Sequence, residues 1–203
     1  MNYLLEHAAR VGALAAEHLE LVAAALAVAF AIALPLGAVA ARRGPLAAPL
    51  LGALGAIYTI PSLALLAVLV RMFGLGPLPV FVALVAYAQF VLVRSVVAAL
   101  QAVDPAAVDA ARGLGMSWRQ RLVRVELPLA TPVIVGGVRV TAVAMVALAM
   151  LGGYVGAGGL GSLIFTGLAI HHTDEIVAGS IAACALAVAL DLTLRALERA
   201  SAR

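Results

Sequence analysis

Five stretches of the chain, residues 19–41, 46–70, 78–100, 129–151 and 176–194, are apolar and carry at most one charge each. The hydrocarbon core of a bilayer is about 30 Å thick, which a helix of about 20 residues crosses. Inside that core the backbone must satisfy its own hydrogen bonds, and a helix does so within one segment. The pattern predicts an all-α integral membrane protein with five transmembrane helices. Apolar residues make up 65% of the 203 positions and charged ones 11%, against roughly half and a quarter in soluble domains. A single transmembrane domain over residues 1–203 is expected, with no separate soluble core.

Two shorter apolar segments do not fit a full crossing. Residues 157–170 read AGGLGSLIFTGLAI, too short to span and weakened as a helix by glycine; a re-entrant or external segment over 153–171 is expected. Residues 1–18 place Leu4, Leu5, Ala8, Val11 and Leu14 near helical spacing, with Glu6, Arg10 and Glu17 off that stripe. An interfacial amphipathic helix fits this pattern, with an unstructured tail as the alternative.

Arginine outside the spans sets the orientation, because positive loops stay in the cytoplasm. With the N-terminus outside and the C-terminus cytoplasmic, nine arginines (42, 43, 112, 119, 121, 124, 195, 199, 203) fall inside, against Arg10 and Arg71 outside. Arg94 and Arg139 lie within spans, near enough to the inner ends to snorkel. Asp191 is expected to pair with Arg195 at i, i+4.

Several functions are disfavoured. The net charge of +3 comes from dispersed arginines with no basic face for nucleic acid. Cys184 is the single cysteine, and His171 and His172 have no third ligand at useful spacing, so no metal site is expected. No Gly-x-x-x-x-Gly-Lys-Ser/Thr loop occurs, and all 13 basic residues are arginine. No ATP site, cofactor or catalytic constellation is therefore expected on this chain.

The most polar segment lies between the third and fourth spans, at residues 104–128. Asp104 is a natural N-cap for a helix starting at Pro105, with Gly113 and Gly115 as a stop. Ser117 caps a second short helix carrying Trp118, Arg119, Arg121 and Arg124, before Pro128 and Pro132 open the fourth span. Exposed alanines 106, 107, 110 and 111, followed by glycine, let another surface approach closely, and Trp118 stands in a water-facing loop. The first helix reads as a docking element.

The run Asp109-Ala110-Ala111, three residues, Gly115, nine residues, Val125, Glu126, Leu127-Pro128 resembles the signature loop of permease subunits of bacterial ABC importers. The family pattern is Glu-Ala-Ala, three residues, Gly, nine residues, Ile, any residue, Leu-Pro, so the spacing agrees and the departures are Asp for Glu and Val for Ile. The segments YTIPSLALLAVLV (58–70), VDPAAVDAARGLGMS (103–117) and GAGGLGSLIFTGL (156–168) are similar to permeases for glycine betaine, carnitine and choline. Methionine permeases share the glycine-rich segment, and the Thr59-Ile60-Pro61-Ser62 stretch favours the osmoprotectant branch.

This resemblance implies the type I ABC importer permease fold in a bacterial or archaeal inner membrane. It implies cytoplasmic ATPase subunits that use the ATP, a second permease subunit, identical or not, and an external substrate-binding protein. Asp109, Ala110, Ala111, Arg112, Gly113, Leu114, Gly115, Leu127 and Pro128 become the ATPase-coupling candidates. For a quaternary ammonium solute, aromatic faces are the natural contacts. Tyr58, Tyr87, Phe90 and Tyr154 are pathway candidates on that ground, with packing as the alternative role. Pro61 is expected to kink the second span as a gate, and Gly136 and Gly137 permit close helix contact. The competing readings are a permease for methionine or another small solute, and a self-sufficient channel or secondary carrier.

Overall fold

The structure is a computed structural model that describes residues 2–201. Among these residues only helices and turns occur: α1 (Asn2–Glu6), α2 (Ala8–Arg42), α3 (Gly44–Tyr58), α4 (Ser62–Phe73), α5 (Pro77–Gln101), α6 (Pro105–Gly113), α7 (Trp118–Arg121), a π-turn at Leu122–Glu126, α8 (Leu127–Ala149), a 3-10 turn at Met150–Val155, α9 (Gly161–Ala169) and α10 (Thr173–Ser201). Four helical runs are long and apolar enough to cross a membrane: Ala8–Arg42, Pro77–Gln101, Trp118–Val155 and Thr173–Ala200.

Helix α5 is the centre of the fold. Val80, Leu84, Leu92, Val93, Val96 and Val97 on it are buried, and it packs against both α2 and α8. Each neighbour approaches through small residues, as helices do in lipid, where close backbone contact replaces the hydrophobic drive. On α2 the stripe is Ala25, Ala29, Ala33 and Gly37, four residues apart and buried. A Cβ on Gly37 would lie 2.6 Å from Val96 Cβ, and one on Gly137 of α8 would lie 2.4 Å from Ser95 Cβ. Gln89 adds a polar tie, donating to the Ala29 carbonyl at 3.1 Å. By contrast α3 has no buried residue, and the apolar window of α10 is only 11% buried.

Four expectations change in the structure. Residues 1–18 do not form one separate helix: the chain turns at His7 and then runs unbroken from Ala8 to Arg42, because the alanine-rich run from Ala8 to Leu19 holds no proline and a single glycine, Gly12. At 35 residues this helix is about 52 Å long, well over the hydrocarbon thickness. The stretch 46–70 is two helices, α3 and α4, set at 85°. Pro61 does more than kink it: the residue takes an extended backbone, φ −55° and ψ 130°, and caps α4. Proline also drives Ile60 before it away from the helical region.

The second short helix of the elbow is likewise not separate. It continues through the π-turn into α8, so Pro128 and Pro132 lie within one helical run. Leu127 donates to the Leu122 carbonyl five residues back. This wider turn accommodates Pro128, which has no N–H for a regular i to i−4 bond. Finally, Asp191 pairs with Arg139 at 3.5 Å rather than with Arg195, and Arg139 also meets Glu198 at 3.3 Å. Arg139 is therefore held by α10 instead of snorkelling; Arg94 is exposed.

Candidate functional site

Two constellations stand out, an elbow at one end of the bundle and a cavity at the break between α3 and α4. The elbow is built by local signals. Asp104 Oδ1 accepts from Ala106 N at 2.9 Å, and Pro105 occupies the first turn, where its missing N–H costs nothing. The helix closes at Gly115, whose φ of +74° is left-handed. Met116 N donates to Ala111 O at 3.2 Å and Gly115 N to Arg112 O at 2.9 Å, the paired bonds of a Schellman stop. Ser117 and Gln120 then form a reciprocal capping box that starts α7.

Burial sorts the signature residues. Asp109, Ala110, Arg112, Gly113, Leu114 and Gly115 are exposed, as is Pro128, while Leu127 is half-buried. Ala111 departs from the expected exposed face: it is 3% exposed and turns toward the body of the chain. The surface left to solvent carries Leu114 at 77% and Trp118 at 53% exposure. Asp109 Oδ1 accepts from Arg112 Nη1 at 2.9 Å, with both side chains in solvent; such a pair contributes about 0–1 kcal/mol and opens readily for a partner.

Beneath the elbow lies a cluster that the sequence did not single out. Glu126, the variable position of the signature, is buried. Its carboxylate accepts from Arg42 Nη2 at 3.0 and 2.9 Å and from Arg121 Nε at 2.8 Å. Arg42 Cζ and Arg119 Cζ each lie 5.3 Å from the Trp118 ring centroid. A sequence signal existed: an acid five residues after an arginine, in a turn widened by proline, faces back toward that arginine.

The cavity, of about 340 Å³, is lined by residues including Tyr58, Ile60, Ser62, Tyr87, Thr141 and Met145. Tyr58 meets Tyr87 edge-on with centroids 5.9 Å apart, and lies 5.2 Å from Phe90. Tyr87 donates its hydroxyl hydrogen to the Ile60 carbonyl, which pins the helix break to α5. Tyr58 and Tyr87 thus line the cavity, Phe90 backs Tyr58 without lining it, and Pro61 lies between the lining residues Ile60 and Ser62. Tyr154 does not join them: it contacts Phe165 at 5.5 Å and borders a different recess with Leu63, Val70 and Val155.

At the end opposite the elbow, the glycine-rich segment is locked in place. Gly156, Gly158 and Gly159 all have positive φ. Glu17 Oε2 accepts from Gly159 N at 3.1 Å, and His18, 1% exposed, bonds Val146 O at 3.0 Å. Nearby, Tyr3 donates to Glu175 Oε1 at 3.1 Å and accepts from Arg10 Nη1 at 2.8 Å. Burial, and then the bond to the Glu175 carboxylate, hold the Tyr3 phenol above its ordinary titration range.

The sequence pattern of the family described as binding-protein-dependent transport system inner membrane component matches residues 33–203. The chain belongs to this family. It is 37% identical over 203 residues to the osmoprotectant import permease protein OsmW of Salmonella typhimurium, covering 98% of this chain and 94% of that one. The carnitine transport permease protein OpuCB of Listeria monocytogenes is 36% identical over 182 residues, 90% and 84% of the two chains. The choline transport system permease protein OpuBB of Bacillus subtilis is 33% identical over 183 residues, again 90% and 84%. In solved structures, a chain of the MetNI methionine ABC transporter in inward-facing conformations superposes with a TM-score of 0.85 at 23% identity, over 92% of this chain and 94% of that one, which shows the fold. The chain is a multi-pass inner-membrane permease subunit of an ABC transport system and is not itself the ATPase.

Proposed function

We propose that the chain forms the membrane pathway of an ATP-driven importer for osmoprotectants with a quaternary ammonium group, such as glycine betaine, choline or carnitine. The observation that carries the substrate class is the cavity walled by the rings of Tyr58 and Tyr87, with Phe90 packed against Tyr58, together with relatives named for osmoprotectant, carnitine and choline transport. Aromatic faces attract a cation that holds no hydrogen-bond donor, by about 0.5–2 kcal/mol each. No acidic side chain lines the cavity, so a zwitterion such as glycine betaine meets no repulsion at its carboxylate. Contacts this weak suit a pathway that must release its solute, and volumes of about 300 Å³ and above hold small molecules.

In this reading α2, the broken pair α3–α4, α5, α8 and α10 are five spans, with 153–171 external or re-entrant. The N-terminus is outside, and the elbow at 104–128 is cytoplasmic together with the C-terminus. Asp109 to Gly115 dock in a cleft of an ATPase subunit, where exposed Leu114 and the small residues Ala106 and Ala110 allow close approach. Two permease chains, identical or not, pair around the pathway, and an external binding protein delivers the solute. ATP is used by the partner. Closure of the two ATPases moves both elbows and tips the spans between inward-open and outward-open states, and the break at Pro61 supplies a hinge beside the cavity.

The test is uptake of labelled glycine betaine, choline and methionine by liposomes holding the chain with its ATPase and binding protein. ATP-dependent uptake of the quaternary amines, lowered by Tyr58→Ala and Tyr87→Ala, is expected. Uptake of methionine alone overturns the substrate class, and uptake without the ATPase overturns the ABC reading in favour of a secondary carrier.

A further inference from the structure

Three elements converge at the elbow, and they are joined in different ways. Helix α7, the π-turn and α8 are one continuous run from Trp118 to Val155. Any force on the elbow therefore reaches α8 through the backbone. Helix α2 has no such connection. Its last residue, Arg42, meets the elbow across a sequence separation of 84 residues through Nη2, which donates to both carboxylate oxygens of Glu126 at 3.0 and 2.9 Å.

This tie differs in kind from the apolar packing around it. Apolar packing between helices carries no charge-assisted bond, whereas the contact from one guanidinium nitrogen to both carboxylate oxygens holds the two helix ends at a set distance. Glu126 is 8% exposed, so its carboxylate is shielded from the water that weakens surface pairs. Trp118 holds the guanidinium of Arg42 from its ring face at 5.3 Å. Arg121 grips the same carboxylate at 2.8 Å and spans five residues, the length of the π-turn at Leu122–Glu126. A π-turn lacks the regular i to i−4 ladder, and this bond splints it.

We propose that Arg42 and Glu126 form a latch that makes α2 follow α8 when the elbow is moved, with Arg121 and Trp118 as positioning residues that keep the latch rigid. The inference rests on the reading of residues 104–128 as the ATPase-docking loop. In motion the latch converts displacement of one helix into rotation of a pair. Helix α2 carries α5 with it through the alanine stripe and the Gly37–Val96 contact, and α5 bears Tyr87 and Phe90. Without the latch, α8 drives α2 and α5 through side-chain packing alone, and fewer ATP turnovers carry the cavity through its alternation.

The experiment uses the full complex with ATPase and binding protein in liposomes, and reads the number of solutes taken up per ATP hydrolysed. Arg42→Met removes the bonds to Glu126 and the stacking on Trp118 and leaves the Arg121–Glu126 bond and the elbow caps intact. It is expected to keep ATPase association and hydrolysis while the solute-to-ATP ratio falls about tenfold. Glu126→Gln is expected to do the same, and Glu126→Asp to retain most of the ratio. If Arg42→Met fails to accumulate, Arg42→Lys keeps the charge, loses the planar guanidinium that stacks on Trp118, and carries the same test with an expected loss of about threefold. A wild-type ratio in these variants overturns the latch, as does loss of ATPase association in step with uptake, which makes Arg42 part of docking. Gly115→Asp tests the underlying reading separately: if it leaves ATPase association unchanged, the docking assignment fails whatever the latch variants do.

Discussion

The stop at Gly115 offers a clean perturbation of the elbow. Its φ is +74°, and a Cβ placed there meets nothing within 4 Å, so substitution adds backbone strain without collision. A left-handed backbone costs an ordinary L-residue about 1–2 kcal/mol, less for asparagine and more for a β-branched side chain. That strain opposes the bonds from Met116 N to Ala111 O and from Gly115 N to Arg112 O, each contributing about 0.5–1.5 kcal/mol net and less where water competes. The stop is therefore expected to fray in Gly115→Ala and to be lost in Gly115→Val. If the ATPase binds only the closed form, 1–2 kcal/mol weakens its affinity about 5- to 30-fold. The expected order of affinity is Gly, Asn, Ala, Val. Titration of purified ATPase against the permease in nanodiscs measures it. Thermal unfolding of the membrane domain should be unchanged, because α6 inserts only Ala111 fully into the body of the chain. Equal affinity for all four variants, or asparagine as damaging as valine, refutes the argument that this backbone conformation shapes the docking surface.

Other consequences follow from single contacts. Gly137→Ala places a Cβ 2.4 Å from Ser95 Cβ and is expected to destabilise the α5–α8 contact by about 1–3 kcal/mol, seen as a lower melting temperature in detergent; Ser95→Gly in the same chain should restore much of it, since the next Ser95 atom is Cα at 3.9 Å. Tyr87→Phe removes the donor to the Ile60 carbonyl and is expected to cost about 1 kcal/mol of stability and to lower uptake, with no loss of ATPase binding. Glu17→Ala removes the acceptor of the Gly159 amide and should speed hydrogen exchange at that amide by about tenfold, while Glu17→Gln, which keeps an acceptor oxygen, should change it far less.

Much of the elbow was legible because its signals are local. A cap and its amide lie two residues apart at Asp104 and Ala106, a capping box three apart at Ser117 and Gln120, and the helix stop requires one residue with positive φ. The same locality explains the errors. Pro61 signals an interruption, but whether the helix bends or breaks depends on what receives the freed carbonyl. Here the Ile57 carbonyl that Pro61 leaves without its amide accepts from Ile60 N at 3.1 Å, and the Ile60 carbonyl at the break accepts from the hydroxyl of Tyr87, 27 residues away. Asp191 finds an arginine four residues on in sequence, yet Arg139 on α8 lies within 3.5 Å, because the packing of α8 against α10 brings a cation that a single-helix reading does not contain.

By itself the sequence determined that the chain is an all-helical membrane protein, where positive charge gathers, and that a capped polar helix interrupts the apolar runs. Each of these follows from composition, length or neighbours within one helical turn. Only the tertiary structure decided that Tyr58 and Tyr87 share a cavity while Tyr154 does not, that Ala111 turns inward, and that Glu126 ties the elbow to α2 through a residue 84 positions away. Burial and charge pairing of that kind depend on which helices become neighbours. That choice is made by how small-residue stripes such as Ala25, Ala29, Ala33 and Gly37 fit the surface of α5, a property of two helices together rather than of either segment alone.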